Sequence, residues 1–512
     1  MRLTFRRPSR NLAFREKNQP GELPMSSSAT ADRTTGGQRP GSSAADLFPT
    51  HVLPRPQVRD LPAPPADTAK IIGPGIVAAG VGLASGEFIL YPYIASQVGL
   101  VFVWAALLGV MTQFFLNMEI ERYTLATGET ALTGFSRFWR HWGLVFAIMT
   151  YFANLWPGWA TSSATMVTYL VGGNPKWIAI GMLLAIGLIL TLAPVVYVML
   201  ERMQMLKIAA VGLLIVISAI FVITADAWAK LPEIVTNAAI PHQELGFAVL
   251  LGALAFAGAG GGQNLCQSNW IRDKGFGMGK YVPRIESPIT GELEAEPSNG
   301  FVFEPTPENL SRWEQWWRFA NVEQLSTFVL ITFITITFTS LLAYATVYGQ
   351  EGLANGISFV LSEGQVLQER VGAWFGYLFW FIGAFSLFAA ATGIVDYTSR
   401  LAADVLRTSY LKNANESRLY FRLVWGLVVI GIVVLLFGVA QPLVLLVISA
   451  CVGGLMMFIY SALLILLNKR VLTPEIQPGI GRVLALAWAF GLFGVLSFLT
   501  LVQQVPKLWS GS

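Results

Sequence analysis

Long apolar segments recur along the chain from about residue 70 to residue 503. A helix needs roughly 20 apolar residues to cross the hydrocarbon layer of a bilayer. By this criterion the sequence predicts membrane spans at about 71–98, 100–121, 143–171, 176–196, 203–224, 246–271, 322–348, 372–397, 421–438, 441–467 and 481–503. The pattern therefore predicts an all-α integral membrane protein with about eleven transmembrane helices.

Two polar regions stand apart from this pattern. Residues 1–68 are rich in Ser, Pro, Gly and Arg, which predicts a disordered cytoplasmic tail. A second polar stretch, 272–320, is a predicted cytoplasmic insertion that contains Trp313, Trp316 and Trp317. Tryptophan clusters are common at the membrane–water interface, so we expect these three side chains at the surface or at that interface.

Two of the predicted spans carry glycine-rich breaks. The break in span one leads to Glu87, and the break in span six leads to Gln263 and Asn264. Glycines weaken a helix and free main-chain groups, which a bilayer tolerates only where the backbone lines a cavity or is buried in protein. Interrupted helices at matching places in two repeats are the best sequence indication of a binding site near the bilayer midplane.

The five-helix separation of spans one and six predicts two inverted repeats. The first repeat would comprise residues 69–225, and the second residues 226–470 with the insertion. Residues 471–512 would form an additional helix and a short C-terminal tail. Tight helix packing could explain either glycine run alone, but it explains the matched pair less well.

Glu87 is the sharpest single candidate, because the sequence places no other ionisable group near the middle of a span. An ionisable residue at that depth is costly and by default functional. The alternative is a protonated glutamic acid that hydrogen-bonds a neighbouring helix, and the amides could likewise form interhelical bonds. The candidate substrate-binding residues are Glu87, Ala84, Ser85, Tyr91, Gly258, Gly261, Gln263, Asn264 and Gln267.

Composition excludes several other classes of protein. The chain is 54% hydrophobic and only 12% charged, whereas soluble domains carry about 25% charged residues. The two cysteines lie in apolar runs and the three histidines lie outside the spans, which leaves no disulfide framework or haem or zinc bundle. No phosphate-binding loop, catalytic triad or nucleic-acid patch is visible. We therefore expect no enzyme, no cofactor and no nucleic-acid partner.

The basic residues predict the orientation. With the N-terminus inside, all but four of the 34 Lys and Arg residues fall on the inner side, and Lys207 is counted among them. The outer four are Lys176, Lys230, Arg370 and Lys507. The positive-inside rule then predicts a cytoplasmic N-terminus and an outer C-terminus.

The chain resembles the Nramp family of metal ion transporters over roughly residues 70–500. The resemblance lies in Gly73-Pro-Gly, in the break Ser85-Gly86-Glu87-Phe88, in the stretch 122–134 and in Gln263-Asn264-Leu265. It implies the LeuT-type inverted-repeat fold of the APC superfamily and secondary-active transport across the lipid bilayer. It also implies a metal cargo, with a proton or sodium ion as the coupling ion.

The metal-binding motifs depart from the family pattern. The first break of the family reads Asp-Pro-Gly-Asn, and here Ala84 replaces the Asp and Glu87 the Asn. The second reads Met-Pro-His, and here Gly261 replaces the Met and Gln263 the His. A metal held by Glu87 and Gln263 would have oxygen ligands only, which suits Mg²⁺, Ca²⁺ or Mn²⁺ better than softer ions.

The rival hypothesis is an organic-solute or amino-acid transporter of the same fold, coupled to a proton or sodium ion. Free N–H groups at the half-helix ends would then bind a carboxylate. Glu87 would bind an ammonium group or carry a proton.

Overall fold

The computed structural model describes residues 43–65, 73–193, 195–282, 300–350, 357–438 and 442–510, with side chains to residue 504. These residues form nineteen α-helices and one pair of two-residue parallel strands, β1 (Gln57–Val58) and β2 (Phe301–Val302). The helices of the first half are α1 (Pro74–Gly82), α2 (Tyr91–Val98), α3 (Trp104–Thr127), α4 (Ala131–Phe138), α5 (Trp142–Asn154), α6 (Gly158–Val171), α7 (Pro175–Leu192), α8 (Val196–Phe221), α9 (Ala225–Ala229) and α10 (Glu233–Thr236). Those of the second half are α11 (His242–Phe256), α12 (Gly262–Lys274), α13 (Pro307–Glu323), α14 (Leu330–Thr346), α15 (Phe359–Val371), α16 (Ala373–Ser409), α17 (Glu416–Leu436), α18 (Pro442–Val471) and α19 (Ile480–Ser510).

The predicted spans all fall on these helices. Within the described ranges, eight helical segments are long and apolar enough to cross a membrane. The other three predicted spans are not among these eight segments. One is α3, whose second half carries Glu119, Glu121 and Arg122. Each of the other two is split into a pair of helices, α5–α6 and α11–α12. Pro157 lies at the first of these splits, where its missing N–H cannot continue a helix.

The two predicted interruptions are confirmed. Helix α1 ends at Gly82, and a π-type helical turn, Gly86–Leu90, leads into α2. Helix α11 ends at Phe256, and α12 begins at Gly262. Between them Gly258, Gly260 and Gly261 have φ values of 138°, 72° and 67°. Side chains rarely allow this left-handed region, so the conformation depends on glycine.

The two breaks touch each other through their backbones. A Cβ atom added to Gly82 would lie 2.2 Å from the carbonyl oxygen of Gly258. One added to Gly86 would lie 2.1 Å from the carbonyl oxygen of Phe256. The interrupted helices therefore cross at their breaks.

The start of α1 is held by a carboxylate from another helix. Glu323, the last residue of α13, accepts hydrogen bonds from the backbone N–H groups of Gly75 (2.9 Å) and Gly73 (3.3 Å) at Oε1. These amides lie at the helix N-terminus, where no intrahelical partner exists and negative charge is favourable. Glu323 is 3% exposed and so fixes α1 against α13 inside the protein.

Buried ion pairs connect α12, α16 and α17. Arg400 pairs with Asp396 on its own helix (2.9 Å) and with Asp273 of α12. Arg272 of α12 pairs with Asp404 (3.0 Å) and with Glu416 (3.2 Å). Since removal of one partner leaves a buried charge uncompensated, such contacts hold the helix ends in one arrangement.

The disordered-tail prediction is wrong for residues 43–65. This segment pairs through β1 with β2, and the carbonyl of Pro62 accepts a hydrogen bond from Trp316 Nε1 (2.7 Å). Its residues cover the tryptophan cluster, so Trp313 and Trp316 are buried and only Trp317 is partly exposed, contrary to the predicted surface position. Residues 1–42 and 66–68 lie outside the described part.

We predict that Gly82→Ala lowers the free energy of unfolding by about 1–3 kcal/mol or more, because the new methyl group overlaps the Gly258 backbone. Gly181→Ala in α7 is the matched control, since its added Cβ meets nothing within 4 Å. Thermal unfolding of both purified variants in detergent measures the difference. Equal melting temperatures for the two variants would contradict the close crossing.

Candidate functional site

Glu87 lies in the π-type turn that follows the first break and is fully buried. Its Oε2 accepts a hydrogen bond from the backbone N–H of Ala84 (3.1 Å), which has lost its helical partner at the break. Its Oε1 has no hydrogen-bond partner in the described part of the chain. The carboxylate therefore stabilises the break with one oxygen and keeps the other free for a ligand.

Lys207 of α8 is a buried group whose charge interacts with that of Glu87, a role that the sequence alone does not reveal. The side chain is fully buried, and its Nζ donates to the carbonyl of Ser386 at 3.4 Å. Ser386 Oγ in turn donates to the carbonyl of Leu83 at the first break (3.1 Å). The charges of Lys207 and Glu87 attract each other across this region.

The earlier placement of Lys207 among the inner-side residues is therefore wrong. Glu87 is also not the only ionisable group in this part of the bundle. The available signal was that Lys207 falls inside the predicted span 203–224. The number of Lys and Arg residues assigned to the inner side therefore falls by one, and the four residues assigned to the outer side are unchanged.

A narrow cavity extends from Glu87 between α2, α8, α14, α15 and α16. Its volume of about 10 Å³ is close to the space that one water molecule requires. Its wall consists of Glu87, Phe88, Pro92, Leu214, Ile215, Ser218, Ile223, Phe338, Thr339, Leu342, Glu363 and Phe379. The site is thus almost closed in this conformation.

The three predicted amides lie against other helices. Gln263 donates from Nε2 to the carbonyl of Ala78 (2.6 Å). Asn264 donates from Nδ2 to Asn117 Oδ1 of α3 (2.7 Å), and Gln267 donates from Nε2 to Glu121 Oε2 (3.3 Å). None of these amides bonds Glu87 within the described ranges.

The remaining predicted residues divide between the two breaks. Ala84 and Ser85 form the first break with Glu87, and Tyr91 lies one turn further on. The Tyr91 ring stacks on Phe102 with centroids 6.5 Å apart, and its hydroxyl has no partner among the described residues. Gly258 and Gly261 form the second break. The two breaks touch, but the carboxylate and the amides point to different neighbours.

Gln113 of α3 supplies hydrogen bonds to the second break, a role that the sequence alone does not predict. Its Nε2 donates to the carbonyls of Leu254 (3.1 Å) and Ala255 (2.8 Å). Its Oε1 accepts from the backbone N–H groups of Ala259 (2.8 Å) and Gly260 (3.2 Å). One amide side chain therefore replaces several hydrogen bonds that the interrupted helix cannot form itself. The only sequence signal was an isolated glutamine in an apolar span.

The groups available for a metal ion are few. Among the described residues, no three His, Cys, Asp or Glu side chains gather at one place. A cation in the cavity would bind Glu87 Oε1 and oxygen atoms of the backbone or of water, while the Gln263 nitrogen is engaged with Ala78. This set contains no soft ligand, and it lies within the field of Lys207.

Comparison with known proteins identifies the fold. The chain is similar to crystal structures of a manganese transporter from Eremococcus coleocola. For one mutant form the TM-score is 0.63 at 10% identity, over 89% of this chain and 91% of that chain. For its complex with an aromatic bis-isothiourea substituted compound, the TM-score is 0.63 at 10% identity, over 91% and 92%. No family model and no curated protein matches the sequence.

The similarity confirms the predicted fold. This chain shares the overall helical fold of that manganese transporter, and it is a multi-pass integral membrane protein. At 10% identity the similarity establishes the architecture alone. The chemistry of the site therefore depends on this chain's own residues.

We predict that Glu87→Gln and Lys207→Met are each destabilising by about 1–3 kcal/mol, because each removes one of two fully buried groups whose charges attract each other. The double variant should lose less stability than the sum of the single losses. Denaturation in detergent measures this cycle. Lys230→Met and Glu233→Gln remove an exposed pair and serve as controls that should change little. If the stability loss of the double variant equals the sum of the two single losses, the interaction of Glu87 with Lys207 is contradicted.

Proposed function

We propose that the protein is a secondary-active transporter that works by alternating access around the two crossed breaks. The observation that carries this proposal is the backbone contact of the breaks beside a buried carboxylate with a free oxygen. Interrupted helices offer polar groups to a solute at the centre of such a fold. The small cavity volume fits an occluded stage of the cycle.

We propose a hard divalent cation, such as Mg²⁺ or Mn²⁺, as the cargo. The resemblance to the Nramp family supports a metal, and the oxygen-only ligand set supports a hard one. Lys207 would then act as a tethered cation that neutralises Glu87 when the cargo has left. The bound metal must compete with this lysine, which weakens its binding and favours its release.

Lys207 also supports a second candidate cargo, a zwitterionic organic solute such as an amino acid. A carboxylate and an ammonium group facing one site have no net charge, and they complement a zwitterion. The carboxylate of the solute would interact with Lys207 and with free N–H groups, and its ammonium group would interact with Glu87.

The proposal includes the orientation and the coupling. The N-terminus would be cytoplasmic and the C-terminus outside, because the outer side still carries only four basic residues. A proton or sodium ion would drive transport through the two five-helix repeats. The partners are the lipid bilayer and a small ion or solute, and no catalysis, cofactor or nucleic acid is required.

Uptake into proteoliposomes tests both candidates. We expect the wild-type protein to accumulate Mn²⁺ or Mg²⁺, and Glu87→Gln to abolish this uptake because the carboxylate proposed to hold the cation loses its charge. Lys207→Gln should keep or tighten metal binding, since a competing positive charge is removed. If the cargo is a zwitterion, both variants should lose uptake of an amino-acid panel. Glu233→Gln and Lys230→Gln are the surface controls.

Full uptake in Glu87→Gln would contradict a role of this carboxylate in the transport of either a metal ion or a zwitterion. A protein that takes up neither the metals nor the amino acids, and is not stabilised by them in thermal unfolding, would contradict the proposed cargo classes.

We also predict no preference for Cd²⁺ or Fe²⁺ over Mg²⁺ or Ca²⁺ beyond the ordinary affinity series, because no methionine or histidine is among the described residues that line the cavity. Isothermal titration with Cd²⁺ measures this, and submicromolar binding would contradict it. Gly261→Met would place a thioether at the position of the family's methionine, but this variant cannot be used to test the metal preference. Gly261 has φ 67°, and its Cβ would lie 2.5 Å from Gly453 Cα, so this change would disrupt the fold.

A further inference from the structure

Polar side chains join α3 to α12 at two successive turns of α3 beyond Gln113. Asn117 Oδ1 accepts a hydrogen bond from Asn264 Nδ2 at 2.7 Å. One turn further along α3, Glu121 Oε2 accepts a hydrogen bond from Gln267 Nε2 at 3.3 Å. All four side chains are at most 1% exposed. Each pair uses only the side-chain nitrogen of α12, so Asn264 Oδ1 and Gln267 Oε1 have no hydrogen-bond partner among the described residues.

A third element, the π-type turn that follows α13, contributes Gln324 to this region. The segment runs antiparallel to α3. At one end the Trp317 ring centre lies 3.9 Å from the guanidinium carbon of Arg122, and at the other end Phe328 and Gln113 both lie against the second break. This register places Gln324 level with the first of the two pairs. Its side chain is fully buried, and neither its oxygen nor its nitrogen has a hydrogen-bond partner in the described part of the chain.

The charge of this region is negative. Glu121 forms no ion pair with a lysine or arginine of the described residues, and the charge that acts on it is that of a second carboxylate, Glu323. Glu323 is held by backbone amides at the start of α1. A buried carboxylate without a counter-charge is costly, and amide oxygens without partners add to this cost. Two carboxylates beside three such amide oxygens therefore indicate a cation.

We propose that this region is a second cation site, separate from Glu87, for a hard divalent ion of the Ca²⁺ type. Its ligands are the Glu121 carboxylate and the side-chain oxygens of Asn264, Gln267 and Gln324. Ca²⁺ takes about six to eight oxygen ligands from carboxylates, amide carbonyls and water, whereas Mg²⁺ dehydrates reluctantly. One carboxylate and three amide oxygens, completed by water, match Ca²⁺ better. Its two positive charges balance Glu121 and Glu323.

The bound ion would hold three elements together. It would tie α12 and the turn after α13 to α3, next to the second break. The inference requires neither a cargo nor transport, because the ion is resident. The alternative is a protonated Glu121 that shares the region with buried water, and this arrangement would satisfy the amides without any dependence on a metal.

Thermal unfolding of the full-length protein in detergent tests the site. The protein is first treated with a chelator, and CaCl₂ is then compared with MgCl₂ and NaCl at equal ionic strength. An ion that binds only the folded state raises the melting temperature by mass action. We expect Ca²⁺ to raise it more than Mg²⁺ or Na⁺ does, and isothermal titration then gives the dissociation constant.

Two variants locate the ion. Glu121→Gln should weaken Ca²⁺ binding about tenfold or more, because the charged ligand is lost. Gln324→Met keeps the length of the side chain and removes its oxygen, and it should weaken binding to a smaller extent. Since Gln324 makes no hydrogen bond to the described residues, this variant should fold even if Glu121→Gln does not. Glu87→Gln and the surface variant Glu233→Gln are the controls, and both should keep Ca²⁺ binding at this site.

Stabilisation by Ca²⁺ that does not exceed that by Mg²⁺ and Na⁺ would overturn the proposal and favour the protonated acid with water. Ca²⁺ binding that survives unchanged in Glu121→Gln and Gln324→Met, but is lost in Glu87→Gln, would overturn it by assigning the ion to the central site. Failed uptake of Mn²⁺ and Mg²⁺ together with Ca²⁺ binding that depends on Glu121 would reject the proposed cargo and support this second site.

Discussion

Every backbone polar group inside a bilayer needs a partner within the protein, and this constraint determines the centre of the structure. Two helices break at glycines, and both breaks would be intolerable without side chains that replace the lost hydrogen bonds. Gln113 bonds both sides of the second break, while Ser386 and Gln263 bond carbonyls in or near the first. Most polar side chains at the centre are thus committed to the backbone. Glu87 is committed with only one of its two oxygens.

This commitment explains why the candidate site is small. Gln263, Asn264 and Gln267 hold α12 to α1 and α3 through their side-chain nitrogens, while Glu87 lines a cavity whose wall includes α8. There Glu87 lines a cavity with room for about one water molecule, and the charge of the buried Lys207 interacts with that of its carboxylate. Opposite charges reduce the electrostatic cost of a buried site, and they also make its net charge neutral. A cargo must therefore work against a pre-existing interaction.

The sequence predicted the features that depend on local chemistry. Glycine runs and a carboxylate in apolar spans are visible without any knowledge of neighbours, and the helix breaks and Glu87 were found in this way. Lys207 and Gln113 were missed because their roles depend on contacts with distant helices. The apolar stretch around Lys207 is compatible with either a helix end or the interior. The tryptophans of α13 were misplaced because the segment that covers them, 43–65, lacks the composition of a folded region.

The hydrogen bonds between the Glu323 carboxylate and the start of α1 would couple a displacement of this helix to the entry of water. Glu323 holds the amides of Gly73 and Gly75, so a displacement of α1 from α13 would expose two donors and one acceptor at once. In a dry interface that separation would leave all three unpaired. If water enters as the helices part, it supplies each missing hydrogen bond, and the energetic difference between the joined and separated states becomes small. An opening at this end of the bundle would then be governed by how readily water can follow α1, rather than by the strength of the contact that it breaks.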